Sequence, residues 1–599
     1  MKTKNQRFAL ILRFARGAKL AFLIVLAASF ASTALNALIP RIFRFTIDSV
    51  LSENGISYLK EHLWILSLAV IMIAVANGIS IFLYRTYTAK AGEYFAKNMR
   101  DVLFTHVQRL PMKWHGENQT GDIIQRCTSD VEVIRNFVIS QVLEVFRTVF
   151  LIVISLLMMV SMNVKMTVAA LLFMPLVILY SGVFFNLIAR NFSVADEAEG
   201  ELSTVVQENA TGVRVVRAFG REQFEIDRFD EKNHNFAKLW IKVGTISGLY
   251  WGVGDLITGL QVICIIVLGS IEAVHGNITP GEFVAFASYN TSLVWPVRAL
   301  GRILSEMSKA QVSFDRVNYI LDSMEEDMTE EGVIPDNLDI AYNHVTFGYE
   351  ERAEVLKDIC ISMNEGKTYG ILGGTGSGKS TLIHLLNRLY ELPEEQGTIT
   401  IGGIDIRKIP KKWLRKQIGM VLQEPFLFSR TIGENIAAAN PEAALEEIQE
   451  AAKIACVHDA IMAFPDQYDT IVGERGVTLS GGQRQRIAIA RMLVSKSPIM
   501  IFDDSLSAVD AKTDYEIRRA LRAKMKDATV ILISHRITTL MEAEEIFVLN
   551  KGRVEEMGSH GELIQREGIY HKIYDIQMNQ DDRELLKEGN DDGTKELSI

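Results

Sequence analysis

Basic tracts are missing from this chain. Lysine and arginine total 63 against 73 aspartates and glutamates, a net charge of −10, and no run of cations offers a surface for a phosphodiester backbone. Nucleic acid is therefore excluded as a partner. Cysteine is scarce as well: Cys127, Cys264, Cys360 and Cys456 are the only four, and no two stand in a C-x-x-C spacing. That removes an obvious zinc site or redox pair and fits a chain without structural disulfides, its thiols serving as small apolar fillers. Long apolar runs are lacking after Gly301, whereas before it they dominate. At 599 residues the chain is too long for one ordinary core, and this asymmetry divides it into an apolar half and a charged half.

A bilayer core of about 30 Å needs about 20 apolar residues in a helix. Runs of that kind predict spans over residues 20–40, 63–84, 137–164, 166–189, 243–271 and 281–303. Glu144 and Arg147 intrude on the third, Asp255 on the fifth, and Glu282 and Arg298 bound the apolar part of the sixth. Short turns join spans three to four and five to six. The connections 86–136 and 190–242 are each about fifty residues long, and ordered helical structure is expected there. They also hold many cations, among them Arg100, Arg109, Arg126 and Arg135 in one and Arg214, Arg217, Arg221 and Arg228 in the other. By the positive-inside rule both connections face the cytoplasm, and six spans then place both termini there. Residues 1–18, with cations around Phe8–Leu12, predict an amphipathic elbow helix lying among lipid headgroups. Breaks around Pro111–Gly121 and Gly212–Gly220 mark where short transverse helices would sit.

From about Asp339 the pattern becomes that of a soluble α/β fold. Gly373-Gly374-Thr375-Gly376-Ser377-Gly378-Lys379-Ser380, followed by Thr381, closes a predicted strand and opens a helix. The pattern is G-x-x-x-x-G-K-S, expected by chance only about 0.02 times in a chain of this length. Its glycines let backbone N–H groups curl around phosphates, and Lys379 reaches the β- and γ-phosphates. Ser380 offers a hydroxyl to Mg²⁺, and the helix N-terminus adds its positive end. Downstream, Pro498–Asp504 is an apolar strand ending in two carboxylates. Asp503 is placed to hold Mg²⁺ through water, and Asp504 stands where a base or water-orienting group belongs. Gln423 follows the strand Gly419–Leu422 and reaches the metal or the attacking water; His535 follows Val530–Ser534 and reaches the γ-phosphate. Taken in order, these residues form one site for ATP and Mg²⁺.

Leu479-Ser480-Gly481-Gly482-Gln483, followed by Arg484-Gln485-Arg486, resembles the signature of the ATP-binding-cassette (ABC) family. The order of the other motifs is similar to that family throughout. Phe347-Gly348-Tyr349 resembles its adenine-stacking loop, Ser507–Asp510 its D-loop and His535 its switch histidine. Glu208–Gly212 with Val215–Gly220 resembles the second coupling helix of exporter-type half transporters, and Asp122, Arg126 and Asp130 follow the first. The resemblance covers residues 1–575 and implies an exporter of the type IV fold. Its six-span α-helical transmembrane domain would occupy residues 19–320. An α/β P-loop (RecA-like) nucleotide-binding domain with a helical signature subdomain would occupy residues 336–575, and the polar tail 576–599 is predicted disordered. It also implies a dimer in a bacterial cell (inner) membrane. There Ser480, Gly481, Gly482 and Gln483 of one chain meet the phosphates held by the other, with Asp510 beside them, and ATP clamping switches the membrane cavity from inward to outward facing.

One departure from the family stands out. Active members carry Glu after the strand aspartate, and here the position is Asp504. The missing methylene withdraws the carboxylate by about 1 Å, a misplacement that costs about a hundredfold in rate. The segment Phe502–Asp510 resembles the degenerate-site subunit of bacterial heterodimeric multidrug exporters, which implies a different partner half carrying Glu. The cargo expected on that resemblance is an amphiphilic small molecule, drug or lipid. Trp251, Trp295, Tyr250 and Tyr289 would line an adaptable pocket, with Asp255 and Arg298 facing the cavity or each other. A homodimeric lipid flippase, a siderophore-type importer on the same fold and an ATP-gated regulator are the alternatives. No peptidase or substrate-binding domain accompanies the two halves.

Overall fold

The structure is a computed structural model that describes residues 14–52, 55–349, 353–473, 476, 478–504, 511–524 and 527–578. The chain divides into two compact units. One takes in the chain up to Leu110 together with Asn118–Met324; the other takes in Pro111–Glu117 and the chain from Glu325 onward.

The first unit is built on six long helices: α1 (Lys19–Leu51), α2 (Gly55–Val107), α3 (Leu143–Met162), α4 (Val164–Ala218), α5 (Glu222–Val274) and α6 (Pro280–Asp322). Five helical segments among the described residues are long and apolar enough to cross a membrane, spanning α1 to α5. The sixth helix, 43 residues long, falls short of that apolarity because Asn290, Thr291, Ser292 and Arg298 interrupt it. The third predicted span, 137–164, ends at Met162. Asn163 adopts an extended backbone and its side chain accepts the Met166 N–H, which makes it the cap of α4. The chain therefore reverses on one residue, and the residues ahead of α3, Phe137–Val142, wind as a π-helix. At the other reversal Thr279 and Glu282 form a capping box with Pro280 in the first turn of α6. Asp48 of α1 accepts from Thr279 Oγ1 at 2.8 Å and from the Gly281 amide at 2.9 Å, while Arg44 pairs with Glu282 at 2.7 Å. Glycine is required at 281, since a Cβ there would strike the Arg44 carbonyl.

The long connections are mostly helix. The membrane helices α2, α4 and α5 simply continue, and a tight turn at Phe219–Arg221 joins α4 to α5 with Gly220 at φ +58. Helices Thr120–Cys127 and Ser129–Asn136 lie in the other connection. Buried Asp130 anchors the second of these to α6, accepting from Ser313 Oγ at 2.7 Å with Arg316 at 3.8 Å. Of the predicted elbow, residues 1–13 lie outside the described residues, and residues 14–18 rest against α2. Phe14 and Ala18 are buried. Phe14 meets Phe95 of α2 edge-on at 6.3 Å, and Asn98 donates to the Phe14 carbonyl at 3.2 Å.

The second unit holds two sheets. Strands β1 (Ile340–Phe347), β2 (Leu356–Met363), β4 (Thr398–Ile401) and β5 (Ile404–Asp405) form an antiparallel sheet in the order β2-β1-β4-β5. Strands β3 (Thr368–Gly373), β6 (Ile418–Val421), β7 (Ile499–Asp503), β8 (Thr529–Ser534), β9 (Glu545–Asn550) and β10 (Arg553–Gly558) form the other, in the order β10-β9-β3-β8-β7-β6. Its central strands pair in parallel and read as unbroken apolar runs because both faces are covered. Alternation sorts the side chains: Ile371, Ile499, Ile501, Ile531 and Phe547 join the core shared with the antiparallel sheet. Leu372, Met500, Phe502, Leu532 and Val548 join a second core beneath helices Leu445–Ile454 and α8 (Gly481–Val494).

Two predicted boundaries move. The unit begins at Glu325, not 336, because Glu326 is held by Lys411 and Arg415 at 3.1 and 2.7 Å. It also extends past 575: helix Ile569–Gln577 includes Ile576 and Gln577, and Met578 is buried, so the disordered prediction fails for 576–578. Residues 579–599 lie outside the described residues. Burial pushes the Glu326 carboxyl up, but hydrogen bonds from Arg415 and Lys411 outweigh it and hold the group below its ordinary value of 4.5. A folded pKa below the unfolded one contributes stability that is present above the unfolded pKa and is lost as pH falls through the folded one. Glu326→Gln is therefore expected to destabilise this unit by about 1–2 kcal/mol at pH 7, a buried-pair loss discounted for partial exposure. Denaturant titrations at pH 7 and at the acid end should show that the difference between the two chains shrinks as the carboxylate protonates.

Candidate functional site

The parallel strands bring their carboxyl ends to one edge, where open α/β sheets bind ligands. Gly373 ends β3, Asp503 ends β7, Ser534 ends β8 and Val421 ends β6. Register locks them together, with Leu372 opposite Ser534, Asp503 opposite Ile533 and Val421 opposite Phe502. The loop after β3 leads into helix α7 (Lys379–Leu386), and Gly376 and Gly378 take φ of +78 and +101. Those left-handed conformations favour glycine, and successive amides in such turns make an anion-binding nest. Gly374, Thr375 and Gly376 face outward, while Ser377 and Thr381 are buried.

Lys379 donates to the carbonyls of Gly373 and Gly374, each at 2.8 Å. Its ammonium is pushed down by burial, against the pull of Asp503 and Asp504. Such a cation gains from an anionic ligand. Ser380 Oγ donates to Asp503 Oδ2 at 2.9 Å, and burial raises the Asp503 carboxyl despite that bond. This pair of hard oxygen donors, one a carboxylate that burial drives toward its neutral form, fits Mg²⁺. Gln423 lies two residues beyond β6, exposed on the same edge. Asp504 takes a φ of +45; its amide donates to the Ile533 carbonyl at 2.8 Å, and its Oδ2 lies 3.0 Å from His535 Nδ1. Tyr349 shares a hydrogen bond with Thr381 at 3.1 Å and meets Tyr390 edge-on at 4.8 Å. These residues thus gather at one edge. Asp510 and Ser507 lie outside the described residues.

The signature lies at the start of α8. Ser480 is its N-cap: the hydroxyl accepts the Gln483 N–H at 3.2 Å, and the Gln483 side chain accepts the Ser480 N–H at 2.9 Å. The box takes up the Gln483 amide and leaves those of Gly481 and Gly482 at the positive end of a 14-residue helix. The chain belongs to the ABC transporter family. The ABC transporter transmembrane region matches residues 22–297, and the ABC transporter domain matches residues 356–507. The chain is 36% identical over 564 residues to YknU of Bacillus subtilis, an uncharacterized ABC transporter ATP-binding protein, covering 93% of this chain and 95% of that protein. It is 33% identical to YgaD of the same organism, named provisionally as a multidrug export ATP-binding/permease protein, covering 90% and 94%. A bacterial Atm1-family ABC exporter solved with ATP bound superposes with a TM-score of 0.81 at 26% identity, covering 96% of this chain and 99% of that one. This ABC transporter therefore joins an exporter-type membrane half to an ATPase half coupled to transport.

Two supports of the ABC site escape sequence reasoning. Buried Asn435 accepts from Arg491 Nη2 at 3.0 Å and donates to the Phe428 carbonyl at 2.9 Å, tying α8 to the segment that follows Gln423. The capping box at Thr431 and Glu434 is the one sequence signal nearby. Gln577 accepts the Ile537 N–H at 2.9 Å and donates to the His535 carbonyl at 2.7 Å; no motif announces it.

Within the membrane unit, Arg298 of α6 is buried and donates to Asp255 at 2.9 Å and Thr258 at 2.6 Å, both on α5. Beside it, Trp251 and Trp295 stack at 5.6 Å with planes 13° apart. With Phe185, Tyr250 and Ala299 they line a cavity of about 190 Å³. Tyr289 lies elsewhere, buried with its hydroxyl donating to the Ala37 carbonyl.

Proposed function

We propose that this chain is one half of an exporter that uses ATP to move amphiphilic small molecules, drugs or lipids, across a bacterial cell membrane. The helix α6 supplies the sixth span, both termini are cytoplasmic, and the chain pairs with a second half carrying Glu where this one has Asp504. The relative named provisionally for multidrug export and the Atm1-family likeness support export. The observation that carries the low-activity reading is Asp504 itself, set 3.0 Å from His535 on a short side chain.

In this mechanism Tyr349 stacks on the adenine, and the loop Gly373–Gly378 wraps the phosphates with its amides. Lys379 leaves the two loop carbonyls for the β- and γ-phosphates. Ser380, Asp503 and Gln423 would hold Mg²⁺, which would supply positive charge to offset that of the phosphates. His535 contacts the γ-phosphate, and Asp504 takes the proton of the attacking water. Ser480, Gly481, Gly482 and Gln483 serve the ATP of the opposite half, with Asp510 at the same junction. The halves close on ATP, the long helices move with them, and an amphiphile resting near Trp251, Trp295 and the Asp255–Arg298 pair is released outward.

The test is ATP-dependent movement of a fluorescent amphiphile in proteoliposomes containing the chain with its second half. Uptake into vesicles whose ATPase units face outward should require ATP and vanish in Lys379→Ala. Uptake that ignores ATP, or brisk ATP use with no dye or lipid moved, would refute export.

A further inference from the structure

The antiparallel sheet carries a group of side chains that nucleotide chemistry does not use. Strand β2 is its edge strand. Its residues alternate, so that Ile359 and Ile361 enter the core while Asp358 and Cys360 stand outward on one side. Strand β1 slips register between Tyr342 and Val345, and the slip brings His344 over those two. His344 Nδ1 lies 2.8 Å from Asp358 Oδ1 and 3.5 Å from Cys360 Sγ, and the His344 amide donates to the same sulfur at 3.3 Å. The three ligand atoms fall within 4.8 Å of one another. His344 and Asp358 hold φ of 51 and 53, a left-handed conformation that residues with a side chain rarely adopt. The expectation that all four cysteines are fillers fails here: Cys360 is exposed, whereas Cys127, Cys264 and Cys456 are half-buried.

We propose that His344, Asp358 and Cys360 bind a divalent cation of the Zn²⁺ class. Metal–nitrogen and metal–sulfur bonds of about 2.0 and 2.3 Å at a tetrahedral angle set nitrogen and sulfur about 3.5 Å apart, and the pair already stands at 3.5 Å. The nitrogen and oxygen need open only from 2.8 Å to about 3.3 Å. The neutral His344 binds the cation through Nδ1 as its Nε2–H tautomer, so a proton lying between Nδ1 and Asp358 moves by way of water to Nε2. On binding, Cys360 gives its thiol proton to water, the imidazole carries its remaining proton on Nε2, and water fills the fourth position. A thiolate–imidazole–carboxylate set discriminates against Mg²⁺ and Ca²⁺, so the site does not draw on the Mg²⁺ that accompanies ATP. The cation would tie β1 to the sheet edge three residues before Phe347 ends the strand, and Tyr349 lies two residues beyond that end.

Co²⁺ titrated into the purified, nucleotide-free full-length chain reads thiolate ligation through sulfur-to-metal charge transfer in the near ultraviolet. One Co²⁺ per chain is expected, displaced by Zn²⁺. The band should vanish in Cys360→Ser and persist in Cys456→Ser, and His344→Ala should weaken apparent affinity about tenfold or more. Absence of the band in the native chain, or its survival in Cys360→Ser, overturns the proposal. ATP binding by each variant verifies that the unit is folded.

Discussion

Asp504→Glu is expected to raise the ATP turnover of the purified chain about a hundredfold, the scale on which a 1 Å misplacement at a reacting centre is felt. The backbone does not move to make good the missing methylene. The Asp504 amide is fixed to the Ile533 carbonyl at 2.8 Å, and Asp503 just before it is paired within the sheet. The carboxylate is therefore held back at a fixed depth, against His535. Glutamate would carry it forward without disturbing either strand. Turnover should be measured for the chain alone and with a second half that carries Glu, before and after the substitution. Low native turnover that climbs steeply with the second half supports one weak site in a heterodimer. Brisk turnover by the native chain alone, unchanged by Glu, would leave a homodimer in which Asp504 suffices.

Gly481→Asp should leave the fold intact and lower the ATP turnover of the assembled pair by about two to three orders of magnitude, the cost of losing one preorganised charge-stabilising contact. A Cβ at Gly481 meets nothing within 4 Å in this chain, and its backbone is ordinary helix. A carboxylate in the first turn of α8 favours the helix itself. Any loss must then arise from repulsion of a phosphate held by another chain. Thermal unfolding of the single chain and turnover of the pair separate the two effects. Equal turnover with and without the substitution would mean that the signature does not act across a dimer.

The legible parts of this molecule are those where local chemistry leaves one solution. A glycine-rich loop between an apolar strand and a lysine fixes what Gly373–Ser380 does, and parallel strands buried on both faces announce themselves as unbroken apolar runs. Polar side chains acting across distance were illegible. Asn163 looks like one residue of a turn until its side chain is seen capping α4. Glu326 reads as linker because Lys411 and Arg415 lie far along the chain. Gln577 sits in a polar stretch whose composition suggests disorder, yet two backbone groups of the His535 turn are bound to it. Cys360 shows the same limit: spacing along the sequence says nothing of a register slip that sets it beside His344.

The uninterrupted helices have a mechanical consequence. At 55 residues, α4 is about 80 Å long, of which a bilayer core occupies about 30 Å. Some 50 Å thus project past the hydrocarbon, and α5, at 53 residues, runs back alongside. Such a pair behaves as a lever with its fulcrum in the lipid. A tilt of five degrees sweeps its free tip through about 4 Å, roughly the rise of three helical residues. Small adjustments around the Trp251–Trp295 cavity are thereby magnified at the turn Phe219–Arg221, and a modest push on that turn is returned to the membrane with mechanical advantage.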